Sequence, residues 1–200
     1  MTAARIEQVL NNDGNTVTDA LTMRDALPDD MPSVQRIYAH HVTNTTATFE
    51  ETPPTEQEMQ RRRLFILDHG LPYLVAQRED RIVGYAYATP YRTRPAYRYT
   101  IEDSIYLAHD IIGKGIGNAL LAALIERCEQ GPWRQMIAVI AGIENTGSIN
   151  LHRKMGFTHA GTQVATGYKF KQWIDVVFMQ RALSGGSLSA PDENYRRPGE

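Results

Sequence analysis

The sequence predicts an α/β (α+β) fold, a single domain built on one mixed sheet flanked by helices. Three observations predict it. Strand-like and helix-like segments are mixed along the chain without a regular βαβ alternation. A strand, a glycine-rich turn and a helix follow one another without a break from Glu102 to Glu126. Two long strand-like runs then close the chain as an antiparallel pair. A length of 200 residues with 42% hydrophobic and 22% charged residues suits one domain with a full core.

Residues 1–20 hold no sustained period and read as a flexible N-terminal extension. Residues 21–26 alternate as a strand. Asp29 is the expected N-cap of the first helix, with Pro32 early in it, and Met31, Val34, Ile37, Tyr38 and Val42 mark one apolar face. The Thr/Asn-rich stretch at 43–50 reads as a loop. Thr55 and Glu58 form a capping box that opens a second helix, reaching about Asp68. Strands are expected at 73–76 and 82–88, joined by a turn at 79–81. A Pro-bounded loop carries Tyr91, Arg92 and Arg94.

Ile105 and Leu107 alternate with Tyr106 as a strand, and residues 118–126 have strong helix propensity. Gly131-Pro132 ends that helix. The apolar run 136–140 is a buried strand. A short helix spans 148–155 and stops at Gly156. Residues 157–164 and 173–183 form the closing pair, linked by Gly167-Tyr168-Lys169-Phe170. The domain therefore covers 21–183, and the Gly, Ser, Pro and charge of 184–200 read as a disordered C-terminal tail.

The formal net charge of −2 and the lack of a basic stripe argue against nucleic acid as a partner. Arg61-Arg62-Arg63 reads as a solvated helix face. The one cysteine, Cys128, reads as packing; it excludes an intrachain disulfide and a Cys-based zinc cluster. No signal-peptide or membrane-spanning pattern is seen, so a cytoplasmic protein without membrane association is expected. His40 and His41 lack metal-ligand spacing, and no metal is expected.

The glycine-rich turn fits neither of two phosphate-binding motifs. The P-loop fails because Gly115 follows Gly113-Lys114 where Ser or Thr is needed for that spacing. The dinucleotide fingerprint fails because Asn118 stands where its third glycine belongs. What remains is Gly115-x-Gly117 before a helix, whose free N–H groups suit phosphate. On the glycines alone, a tight turn without a ligand serves as well.

This strand-turn-helix, with Asn145, Ser148 and Gly156-Phe157, resembles the acetyl-CoA site of the GNAT acetyltransferases. A narrower likeness rests on His40-His41 with Thr48-Phe49-Glu50, on Tyr73-Leu74-Val75-Ala76 and on Gly84-Tyr85-Ala86-Tyr87. It continues through Arg92, Arg94 and Ala96-Tyr97, then Tyr99-Thr100, Glu102 and Ser104-Ile105-Tyr106. It ends with Gly167-Tyr168-Lys169-Phe170, Trp173 and Asp175-Val176. These residues, spread over 21–183, resemble the phosphinothricin and methionine sulfoximine N-acetyltransferases. One departure is Ile112, where many GNAT proteins carry Gln or Arg; Lys114 can supply charge nearby.

The resemblance implies a GNAT-type mixed, mostly antiparallel sheet, and direct acetyl transfer from acetyl-CoA to the α-amine of a small glutamate-like amino acid. It implies Glu102 and His152 as catalytic groups that assist proton removal. Cofactor contacts are expected from Ile105, Tyr106, Leu107, Gly113, Lys114, Gly115, Ile116, Gly117, Asn118, Asn145 and Ser148, with the Leu107 N–H as oxyanion donor. Ser148 suits an N-cap equally well. Asp103 should point away from Glu102, since strand side chains alternate. Phe49, Glu50, Arg92, Arg94, Tyr97 and Lys169 are the expected substrate pocket, offering cationic donors and an aromatic wall. A homodimer is expected. Two other readings stay open: a GNAT enzyme for a different amine, and a non-catalytic acetyl-CoA-binding module.

Overall fold

Helix α1 (Met31–Asn44) buries Met31, Val34, Ile37, Tyr38 and Val42, the apolar stripe that its sequence spacing predicts. It starts one residue later than expected. A 3-10 turn (Pro28–Asp30) precedes it, and Asp30, not Asp29, is the N-cap. The Asp30 carboxylate accepts from Arg24 at 2.6 and 2.8 Å and from the Leu27 N–H at 2.7 Å. Helix α2 (Glu56–Asp68) is capped by Thr55, whose Oγ1 accepts the Glu58 N–H at 3.1 Å. The Glu58 carboxylate turns to Arg61 and Arg62 instead of completing the box. Only Arg61 of the arginine run is solvated. Arg63 is buried and donates to the Ala26 carbonyl, so a helix face read as solvent-exposed ties α2 to the chain before α1.

The computed structural model describes residues 8–10, 16–18, 21–111 and 114–199. Within the expected N-terminal extension, β1 (Gln8–Leu10) and β2 (Thr16–Thr18) pair antiparallel as a separate ladder. The main sheet contains β3 (Leu21–Asp25), β4 (Tyr73–Arg78), β5 (Arg81–Pro90), β6 (Thr100–Leu107), β7 (Gln135–Ala141), β8 (Thr158–Lys169) and β9 (Gln172–Ala182). Its order is β3-β4-β5-β6-β7-β9-β8. All neighbours are antiparallel except β6 and β7. That parallel pair needs a crossover, which α3 (Ile116–Glu129) supplies. α4 (Thr146–Lys154) lies between β7 and β8.

The helices cover both faces. Tyr106 of β6 packs its ring edge on Tyr38 of α1, centroids 5.0 Å apart. Its neighbours in alternation, Asp103 and Leu107, face the other way, toward α3 and α4. Leu120, Leu121 and Leu124 of α3 are fully buried against that second face. Each such side chain stabilises the fold by about 1.5–3 kcal/mol.

The closing hairpin turns at Phe170 and Lys171, both at positive φ (51° and 61°), so β8 extends through Gly167-Tyr168-Lys169, which had read as the link. Residues 184–197, expected to be disordered, run as turns held from the domain. Arg134 donates to the Gly186 and Ser189 carbonyls at 3.1 and 2.8 Å, and Tyr99 Oη to that of Asp192 at 2.8 Å. Composition gives no sign of this, because the donors sit far away in sequence.

Candidate active site

β6 and β7 pair only from Thr100 opposite Gln135 to Asp103 opposite Ala138. Beyond that point β6 stays with β5, and β7 stays with β9. The two strands diverge, and a cleft of about 520 Å³ opens between them. From Ser104 to Leu107, β6 has no strand partner on the β7 side. An extended, amide-bearing ligand can therefore pair there as an added strand.

Several expected cofactor residues meet at this cleft. Ile105, Tyr106, Leu107, Gly115, Gly117, Asn118, Asn145 and Ser148 all line it. Lys114 is exposed beside it in sequence, Ile116 is buried as the first residue of α3, and Gly113 lies outside the described residues. Gly115 is the N-cap of α3 at φ 78°, with no side-chain cap, so the first-turn N–H groups are available to an anion. A Cβ at Gly117 would lie 3.4 Å from Leu107 Cδ1 and Leu151 Cδ2, in ordinary contact, so only a side chain larger than a methyl would press on them. Asn145, not Ser148, is the N-cap of α4, its Oδ1 accepting the Ser148 N–H at 3.3 Å.

The two expected catalytic groups lie on opposite sides of the sheet. Glu102 stands opposite Thr89 of β5, on the face of Tyr87 and Tyr106. Burial, and then the negative charge of Asp103, push its pKa up to about 7. It is poised to exchange a proton near neutrality. His152 is 2% exposed on the α3–α4 side. Its Nδ1 lies 2.8 Å from the Ser148 carbonyl and its Nε2 3.0 Å from Asp103 Oδ2. Both partners are acceptors, so the protonated ring is the form that donates to both. Burial opposes that charge, but the Asp103 hydrogen bond and charge outweigh it and the pKa is raised.

Asp103 was missed as a site residue, although strand alternation put it on the correct face. It sits at the apex of the cleft, at the last β6–β7 pairing. His41 was read as packing at the helix end or on the substrate side. Its Nε2–H donates to the Leu107 carbonyl at 2.9 Å, and it lines the cleft. Among the described residues, no group of three or more His, Cys, Asp or Glu could hold a metal ion.

The expected substrate residues fall into two groups. Arg92, Arg94 and Tyr97 share the loop after β5, where the Arg92 guanidinium packs over the Tyr91 and Tyr97 rings at 5.0 and 5.6 Å. Phe49, Glu50 and Lys169 meet elsewhere. Phe49 lies against Gly167, and Glu50 accepts from Arg62 at 2.6 Å and from Tyr38 at 2.8 Å. Lys169 Nζ donates to the Thr45 and Thr48 carbonyls at 3.0 and 2.7 Å. Its ammonium staples this loop with two of its three N–H groups. Sequence reasoning also missed Tyr73 and Tyr87, which stack at 5.1 Å on the Glu102 face; their placement at opposing strand positions was the available signal.

The family profile described as "Acetyltransferase (GNAT) domain" matches residues 23–178. The phosphinothricin N-acetyltransferase of Alcaligenes faecalis is 53% identical over 173 residues, 86% of this chain and 88% of its own length. The L-methionine sulfoximine/L-methionine sulfone acetyltransferase of Pseudomonas paraeruginosa is 39% identical over 171 residues, 85% of this chain and 98% of its own. The crystal structure of a phosphinothricin acetyltransferase from Sinorhizobium meliloti in complex with acetyl-CoA superposes with a TM-score of 0.85. It is 47% identical and covers 90% of this chain and 97% of its own.

Proposed function

The chain belongs to the GNAT acetyltransferase family, and from that premise we propose that it moves the acetyl group of acetyl-CoA to the α-amine of a small glutamate-like amino acid, such as phosphinothricin or methionine sulfoximine. The relatives named for those substrates support this reading. The observation that carries it is the cleft between β6 and β7. A glycine-led helix N-terminus stands on one side of the sheet at this cleft, and a carboxyl with a pKa of about 7 on the other.

In this reading the α3 N–H groups and the free edge of β6 hold acetyl-CoA. Asn145 and Ser148 flank its arm, and the Leu107 N–H faces the developing oxyanion. The Glu102 carboxylate takes a proton from the acceptor's ammonium. The free amine attacks the thioester carbon, the C–N bond forms and the C–S bond breaks. Coenzyme A leaves as a thiolate that picks up a proton, so no covalent enzyme intermediate is needed. The Asp103–His152 pair fixes α4 against β6 at the apex. Arg92 and Arg94 are the donors offered to the acceptor's far end.

The enzyme acts as a homodimer in a reducing, cytoplasmic compartment. The free thiol of Cys128 is compatible with that compartment, and no helix among the described residues is long and apolar enough to cross a membrane. The test is thiol release from acetyl-CoA against a panel of amines. Turnover of phosphinothricin or methionine sulfoximine, with unoxidised methionine roughly ten- to hundred-fold poorer, is expected from the lost charged hydrogen bonds. Turnover of another amine, with neither of these above background, would sink the substrate assignment.

A further inference from the structure

A second cavity, of about 410 Å³, opens on the Glu102 face between α2 and the β4–β5 pair. Arg62, Phe65, Tyr73, Tyr87 and Thr89 are among its walls. Thr89 is the cross-strand partner of Glu102, so the cavity ends one residue pair from that carboxyl. Tyr73 is 1% exposed, and its hydroxyl is buried without a hydrogen-bond partner. A buried hydroxyl in a cavity wall that lacks a partner points to one that a ligand brings.

Arg62 supplies fixed positive charge at the same cavity. Its Nη1 and Nη2 donate to the two Glu50 oxygens at 2.6 and 3.2 Å, and its Nε to Glu58 Oε1 at 3.0 Å. A guanidinium has five N–H groups, so two remain for a ligand. Arg61 also pairs with Glu58, and the four charges cancel. An incoming anion meets no net negative charge there.

In an α-amino acid, the amine and the carboxylate share one carbon. An enzyme that takes the amine at Glu102 needs an anion receptor a few ångströms away, and this cavity is walled by Thr89, the residue paired with Glu102 across the strands. We propose that the cavity is the α-carboxylate subsite of the acceptor, with Arg62 and Tyr73 as specificity-determining residues. This rests on the amino-acid N-acetyltransferase reading. The Arg92–Arg94 loop is left to bind the distal oxyanion. A substrate with two anionic ends then meets two separate sets of donors, one on each side of its amine.

The test compares two acceptors, phosphinothricin and its decarboxylated analogue 3-aminopropyl(methyl)phosphinic acid, in wild type, Tyr73→Phe and Arg62→Gln. The expected result is a roughly tenfold or larger rise in KM for phosphinothricin in each variant, the scale of one lost charge-assisted hydrogen bond. KM for acetyl-CoA stays unchanged. The analogue is a poor substrate of the wild type and no poorer in the variants. Tyr73→Phe removes one oxygen from a buried ring, so it carries the test even if Arg62→Gln fails to fold. Equal losses on both acceptors, or no loss on phosphinothricin, overturn the subsite alone. A wild type that acetylates amines but no α-amino acid overturns the amino-acid reading and the subsite with it.

Discussion

Glu102 and His152 differ by the atoms around them more than by their chemistry. Glu102 is pushed toward protonation by burial and by the charge of Asp103, and the His152 pKa is raised, against burial, by the Asp103 hydrogen bond and charge. Glu102→Gln should therefore lower kcat/KM by roughly 10²-fold or more and abolish a rising limb near pH 7 in its pH profile. The limb rises with pH because the base must be deprotonated. Asp103→Asn removes a negative charge beside Glu102, so the same limb should move to lower pH. His152→Gln leaves Asp103 uncompensated, so the limb should move up. That variant should also unfold more easily, since breaking a buried pair costs about 3–5 kcal/mol. The imidazolium's contribution to stability is full below its unfolded pKa of about 6.5 and is lost as pH rises through its raised folded value. Thermal melts at pH 6 and pH 9 check this: the gap between wild type and His152→Gln should narrow at the higher pH. A Glu102→Gln enzyme with an unchanged profile would remove that carboxyl from the proton path.

At the scale of elements, α3 and its entry turn show why two neighbouring glycines are not interchangeable. A Cβ at Gly115 meets nothing within 4 Å, but its φ of 78° strains an L residue, at a cost of about 1–2 kcal/mol. Gly117 has ordinary helical geometry and no such strain, yet a larger side chain there is driven between β6 and α4. Gly115→Ala should lower the melting temperature by a few degrees and weaken acetyl-CoA binding modestly in a calorimetric titration. Gly117→Val should abolish binding, because Leu107 and Leu151, which also line the cleft, must move. Matching losses in the two variants would refute this distinction. The elements themselves were legible, since the α1 stripe and the Thr55 cap depend on spacings of three and four residues. Features set by distant partners were not. Arg63 reaches Ala26, Lys169 reaches Thr45 and Thr48, and Arg134 holds the C-terminal turns. Nothing in a local window separates these cations from solvated ones. The same holds for His152, whose neighbour Asp103 is 49 positions away. The turn at Phe170-Lys171 was hidden for a different reason: neither residue is a usual choice for positive φ.

Across the whole molecule, the sheet ends in a strand that is paired on one side only, with β9. β8 lies at the edge, is exposed on both faces from Thr158 to Thr166 apart from the half-buried Gly161, and carries no charged residue or proline over that stretch. Natural edge strands usually carry such guards against pairing with another chain. Val164, Tyr168 and Trp173 add exposed apolar area, at 78%, 57% and 67%. A second copy can cover this edge across a two-fold axis. Light scattering on a sizing column should therefore report a dimer, and Val164→Lys combined with Trp173→Glu should shift it toward monomer. The hairpin tip also bears Lys169, which holds the loop carrying Phe49 and Glu50, and Glu50 orients Arg62. Loosening the β8–β9 arm should thus reach the acceptor side of the site before the cofactor side. The monomeric variant should show a raised acceptor KM at unchanged KM for acetyl-CoA. A wild type that stays monomeric at all concentrations would remove the edge as an interface. A dimer unaffected by the double substitution would move the interface to another face.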